Sequence, residues 1–184
     1  MSSKEKYIQH IRTARTDQHK WINQIKLMVS GVTLDKDAVP VNQSDSDFSR
    51  WLFKEAMIFS TSNAKNIIDE MIELHTKCYD IYLKIYGTLF AGKTGGFMSV
   101  FGAKKASASD LKLAQNYYEE LLPASDQLLS KLRSFESLML ATQEAKFDEL
   151  LVEQVMADEA SEHEASEHPA AKQKLYFRGQ LIEG

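Results

Sequence analysis

Seven side chains set the first constraint. Tyr7, Ile11, Ala14, Gln18, Trp21, Ile25 and Met28 follow one another at intervals of 4, 3, 4, 3, 4 and 3 residues. That spacing gathers them on one stripe, about 100° wide, of an α-helix. Six of the seven are apolar or aromatic and Gln18 alone is polar. The stripe runs out at Ser30-Gly31, a helix stop, and residues 31–45 combine Gly31, Pro40 and small polar or acidic residues into a loop. A short helix is predicted to begin near Ser46, with Phe48, Trp51, Leu52 and Met57 on its inner side.

The spacing recurs. Ile68, Met71, His75, Cys78, Tyr82 and Ile85 predict a helix of about 25 residues from Asn63 to Gly87, with His75 and Cys78 on the inner face. Residues 92–106 form a glycine-rich connection whose apolar island, Phe97, Met98, Val100 and Phe101, is expected to fold onto the helices. Ser109-Asp110 is expected to cap the next helix, through Leu111, Ala114, Tyr118 and Leu121. Proline lacks a backbone donor and clashes with the preceding turn, so Pro123 predicts a bend, with a restart near Ser125 and continuation through Leu128, Leu132, Phe135 and Met139 to about Val155. No period-two pattern appears in the first 168 residues. The fold expected is all-α, a four-helix bundle with a kinked long C-terminal helix and a flexible acidic tail. The domain plan is 1–91 and 107–157 as one bundle, joined by 92–106 and followed by 158–184.

Charge narrows the partners. Residues 1–150 carry 19 basic and 19 acidic groups, whereas 151–168 hold six acids and no Lys or Arg. Nucleic-acid binding needs a basic face to neutralise phosphates, so none is expected. No segment approaches the roughly 18 apolar residues of a membrane span, and the start MSSKEKYIQH lacks the apolar core of a signal peptide, so no membrane insertion is expected. The single cysteine, Cys78, permits no intramolecular disulfide and suits a reducing compartment, the cytoplasm. The repeat ASEHE-ASEHP at 160–169 reads as a solvated linker, and His163 and His168, five apart within it, are read as solvated, with loose metal binding as the alternative. The closing KLYFRGQLIEG turns apolar and aromatic again and is expected to dock as a strand or short coil.

Residues Gly87 to Thr94 satisfy the phosphate-loop pattern, but a helix leads into them where that chemistry needs a strand, and Gly95-Gly96 follow where it needs a helix start. No Ser/His/Asp, paired-carboxylate or dinucleotide constellation appears, and no enzymatic activity is expected.

Three segments carry more together than apart: Gln18-His19-Lys20-Trp21, Ser46-Asp47-Phe48-Ser49-Arg50-Trp51, and His75-Thr76-Lys77-Cys78-Tyr79. In order and spacing they resemble the chemoreceptor zinc-binding domain of bacterial signalling proteins, over about residues 10–90. The Leu-Pro-x-Ser stretch at 122–125 is similar to the tail of short, stand-alone members. In that family a His three residues before a Trp, a Cys in a Cys-x-Phe/Leu-Gly-x-Trp motif and two His in His-x-x-x-His hold one zinc inside a four-helix bundle. Carried over, those ligand positions fall on Gln18, Ser46, His75 and Tyr79, and Ser49 stands where the motif has Gly. An amide, a hydroxyl and a phenol of pKa about 10 are poor zinc ligands, so the inherited site is expected to be lost and replaced by a hydrogen-bonded polar cluster of these four residues.

The resemblance implies a cytoplasmic sensory or adaptor protein that works through helix packing and contacts with other signalling proteins, without a cofactor. Two alternatives stand beside it. One is a zinc sensor with rewired ligands, His75 and Cys78 at i and i+3 joined by His19. The other is a purely structural homodimer. Cys78, on the inner stripe, is read as a buried small hydrophobe rather than a redox thiol.

Overall fold

The computed structural model describes residues 1–32, 39–90 and 106–153, together with the backbone of 176–177 and 180–181. The chain is predominantly helical. Helix α1 spans Ser3–Val29 and opens with a capping box: Ser2 Oγ accepts from the Glu5 amide and the Glu5 carboxylate accepts from the Ser2 amide. All seven stripe residues of α1 are buried, Gln18 at 1% exposure. The helix ends where the sequence puts its stop. Gly31 takes φ +77°, the left-handed conformation that glycine adopts without penalty, and a Cβ there would stand 3.4 Å from Leu111.

Ser46 caps α2, Asp47–Lys54, as expected, and Phe48, Trp51 and Leu52 point inward. Met57 belongs instead to the following 3₁₀ turn, Ala56–Phe59, and is half-buried. Helix α3 spans Lys65–Phe90 and buries the whole predicted stripe. It runs through Gly87 rather than stopping there, its last turn closing with Leu89 buried.

Helix α4, Ala108–Ala141, departs from the expectation three times. Its N-cap is Ser107, in a reciprocal box with Asp110, not Ser109. It is one continuous 34-residue helix containing Pro123, with no restart at Ser125. Leu121, Ala124 and Leu128 are buried on either side of the proline, and α4 packs along α3 and along α1. It also ends at Ala141, well before Val155: Thr142 takes ψ 132°, and residues 144–153 form a separate helix, α5. Thr142 caps the end, its hydroxyl donating to the Leu138 carbonyl, and Lys4 completes it. Its ammonium donates to the Leu140 and Thr142 carbonyls, satisfying acceptors that a helix end leaves open. The reversal seats Phe147 of α5 against Tyr7 and Phe59, with ring centroids 5.5 and 5.2 Å away.

Near the C-terminus Tyr176–Phe177 pairs antiparallel with Gln180–Leu181, within the tail itself. The apolar island of 92–106 and the acidic repeat lie outside the described residues. Among the described residues, no helix is long and apolar enough to cross a membrane.

A polar cavity between three helices

Gln18, Ser46, His75 and Tyr79 line one cavity of about 230 Å³. Each arrives there for a local reason. Gln18 holds the polar position in the α1 stripe, one turn before Trp21. Ser46 sits at the mouth of α2 because its hydroxyl accepts from the Ser49 amide at 3.1 Å, as an N-cap does. His75 and Tyr79 lie one turn apart on α3, their rings edge to face at 5.2 Å. The loop before α2 is held to α3 by the Tyr82 hydroxyl, which donates to the Val39 carbonyl at 3.0 Å.

The hydrogen bonds run through a residue that the motif comparison marked only as a substitution. Ser46 Oγ donates to Ser49 Oγ at 2.7 Å, and Ser49 Oγ lies 2.7 Å from His75 Nε2. With the Ser49 hydroxyl accepting from Ser46, it donates to Nε2, which leaves the ring proton of His75 on Nδ1. Burial pushes the His75 pKa down to about 4, so the ring is neutral at pH 7. Burial raises the Tyr79 phenol above its ordinary value, with hydrogen bonding to Ser46 and to the Trp21 indole acting in the opposite direction. Ser49, one helical turn after an N-cap serine and 1% exposed, was legible as a neighbour of Ser46; that it would reach His75 was not.

Two buried nitrogens at the cavity have no hydrogen-bond partner within the protein, Gln18 Nε2 and His75 Nδ1, while the Trp21 indole N–H is directed to the Tyr79 hydroxyl. Such groups destabilise a fold by about 1–3 kcal/mol each. The rim is different. Asp45, Asp47 and Arg50 are exposed and Asp17 is half-buried, and Arg50 pairs with Asp47. The walls are aromatic, with Trp21 stacked on Tyr79 at 5.3 Å and Phe48 at 5.0 Å from His75.

The donor set does not fit a tetrahedral zinc site. His75 Nε2 is engaged by Ser49, Ser46 is spent on capping α2, and Gln18 and Tyr79 bring an amide and a phenol held in its protonated form. The rewired set is not brought together at the cavity. His19 is exposed on α1 and is not among the lining residues. Cys78 is completely buried away from the cavity, its thiol pushed up to about 12 by burial. Among the described residues no three His, Cys, Asp or Glu side chains gather in a metal-holding group. Of the phosphate-loop match, Gly87 to Phe90 form the last turn of α3, and the rest lies outside the described residues.

A second polar centre had no counterpart in the sequence analysis. Glu136 of α4, 8% exposed, receives Arg12 Nε and Arg15 Nη1 of α1, each at 2.7 Å. Arg12 and Arg15 stand at i and i+3, a pairing visible in the sequence, but nothing local names Glu136 as their partner.

Comparison with protein-family models, with curated proteins and with solved structures finds no match.

Proposed function

We propose that this chain is a non-enzymatic sensory or adaptor protein of bacterial signal transduction, cytoplasmic and built as a four-helix bundle, that works by changing how its helices pack. The observation that carries this reading is the convergence of Gln18 from α1, Ser46 at the head of α2, and His75 and Tyr79 from α3 on one cavity containing unpartnered donors. A purely structural core would fill that space with apolar side chains, because a half-satisfied polar centre weakens a fold. Groups retained there at the expense of stability are what a binding centre requires. A ligand that bridges α1, α2 and α3 favours whichever packing places its partners best, and the population of packings shifts accordingly. The acidic segment and the KLYFRGQLIEG tip then offer the surface through which another signalling protein reads the change.

The test is partner capture from bacterial cells with the tagged full chain, the His75→Ala chain and a chain lacking 160–184, each checked for retained helicity. Loss of a partner with either change supports the proposal, and capture untouched by both removes it. Zinc content, with competition against a chromogenic chelator, is measured on the same proteins. About one zinc per chain, lost in His75→Ala, would replace this function with that of a metal sensor.

A further inference from the structure

Resting on the proposal that the cavity is a sensing centre, we infer that its ligand is a small zwitterion, a molecule of the amino-acid or betaine class that carries one ammonium and one carboxylate. Size comes first. A cavity of about 230 Å³ falls below the roughly 300 Å³ at which sites for drug-sized molecules begin, yet far exceeds the space of a single water. The occupant is therefore a compact molecule.

Polarity then divides the cavity in two. The residues at its buried end bring N–H groups without a protein acceptor, Gln18 Nε2 and His75 Nδ1, each on a residue 1% exposed. Buried donors of this kind select a ligand that brings acceptors, and a carboxylate brings two oxygens with several lone pairs. A cationic end alone would leave both unanswered. The mouth presents the opposite sign. Asp17, Asp45 and Asp47 face Lys20 and Arg50, and with Arg50 engaged by Asp47 the remaining Asp17 and Asp45 outnumber Lys20. Burial and the nearby Asp47 charge raise the Asp17 carboxyl by more than the Lys20 ammonium lowers it. Acceptor inward and cation outward is the arrangement of a zwitterion, and a simple anion or a simple amine satisfies only half of it.

The same geometry links occupancy to packing. Gln18 Nε2 of α1 and His75 Nδ1 of α3 lie just beneath the cavity wall, covered from solvent, so a carboxylate entering from the mouth reaches them as α1 and α3 shift around it. Binding and helix displacement are then one event.

The experiment is calorimetric titration of the full chain with alanine, proline and glycine betaine, beside the one-ended probes propionate and tetramethylammonium. At least one zwitterion is expected to saturate at one per chain, at least tenfold more tightly than either one-ended probe. Gln18→Leu and Asp17→Asn, both checked for native helicity, are each expected to weaken it about tenfold or more. Equal binding of propionate or of tetramethylammonium overturns the zwitterion assignment, and no binding by any probe overturns it as well, leaving a cavity filled by water. Amide hydrogen exchange separates this from the function it rests on. A zwitterion that binds without altering exchange in α4 keeps the ligand class and refutes the sensing role, whereas partner capture that depends on His75 with no zwitterion bound does the reverse.

Discussion

Neutral His75 is held at a known disadvantage, and its titration reveals it. In the unfolded chain the imidazole has a pKa of about 6.5, whereas burial lowers it to about 4 in the folded one. Between those values the unfolded state takes up a proton that the native state does not, so stability falls as pH falls. The loss is absent above pH 6.5, grows at up to about 1.4 kcal/mol per pH unit, and is complete below pH 4 at about 3 kcal/mol. Asp17, raised by burial, titrates with the opposite sign, but it is common to wild type and to a His75→Gln variant and cancels from their difference. Urea denaturation of both proteins at pH 7.5, 5.5 and 4.5 is expected to show the wild type losing stability relative to His75→Gln as the pH drops. A constant difference would mean that the ring is solvated in the folded chain. The importance of position 75 was legible in the sequence because the helical stripe placed a polar ring on an inner face. Its tautomer was not, because that depends on a serine 26 residues away whose hydroxyl is aimed by the capping of α2.

Elements were legible wherever local chemistry decides them. The stripe of α1, its stop at Gly31, the start of α2 at Ser46 and the inner face of α3 all appear in the structure, since hydrophobic period, backbone conformation at glycine and N-capping act within one or two turns. The errors lie where another element intervenes. The sequence through 138–150 continues in a helical pattern, and the break between α4 and α5 comes where Thr142 bonds back to the Leu138 carbonyl and Lys4, 136 residues from Leu140, takes the last open carbonyls. At Pro123 the missing donor predicts interruption, but burial of the flanking turn against its neighbours keeps the helix continuous. Gln18 gives a test at this scale. It is the polar member of an otherwise apolar stripe, 1% exposed, with an amide nitrogen that has no partner. Gln18→Leu keeps similar volume and removes the unsatisfied donor, so it is expected to stabilise the protein by about 1–2 kcal/mol, read as a higher urea midpoint at unchanged slope. A lower midpoint would show that the amide is paired in solution and that α1 does not keep Gln18 at the expense of stability.

Across the whole molecule two centres share α1: the polar cavity at Gln18, and an aromatic cluster at Tyr7 that gathers Phe59, Phe135 and Phe147. Eleven residues of helix separate them, about 16 Å. A relay of rings spans the gap. His75 meets Phe48 at 5.0 Å, Phe48 meets Trp51 at 5.7 Å, Trp51 meets Phe135 at 6.0 Å, and Phe135 reaches Phe59 at 6.3 Å, which in turn meets Phe147 of α5 at 5.2 Å. Contiguity alone does not make a coupling path, and substitutions this far apart ordinarily add to within about 0.3–0.5 kcal/mol. A sensing role for the cavity demands more than that, because whatever happens at His75 has to reach the end of the molecule from which the chain continues past 153. Ser49→Ala, which strips His75 Nε2 of its partner, is expected to destabilise by about 1–3 kcal/mol. Phe147→Ala, which opens a hole among fully buried rings, is expected to destabilise by about 3–5 kcal/mol. If the rings carry strain between the centres, the double variant departs from the sum by more than about 0.5 kcal/mol, and replacing Trp51 by Leu in all four proteins returns the pair to additivity. Additivity from the outset would leave the cavity and α5 as independent parts of one rigid body, with any signal from His75 stopping at Phe48.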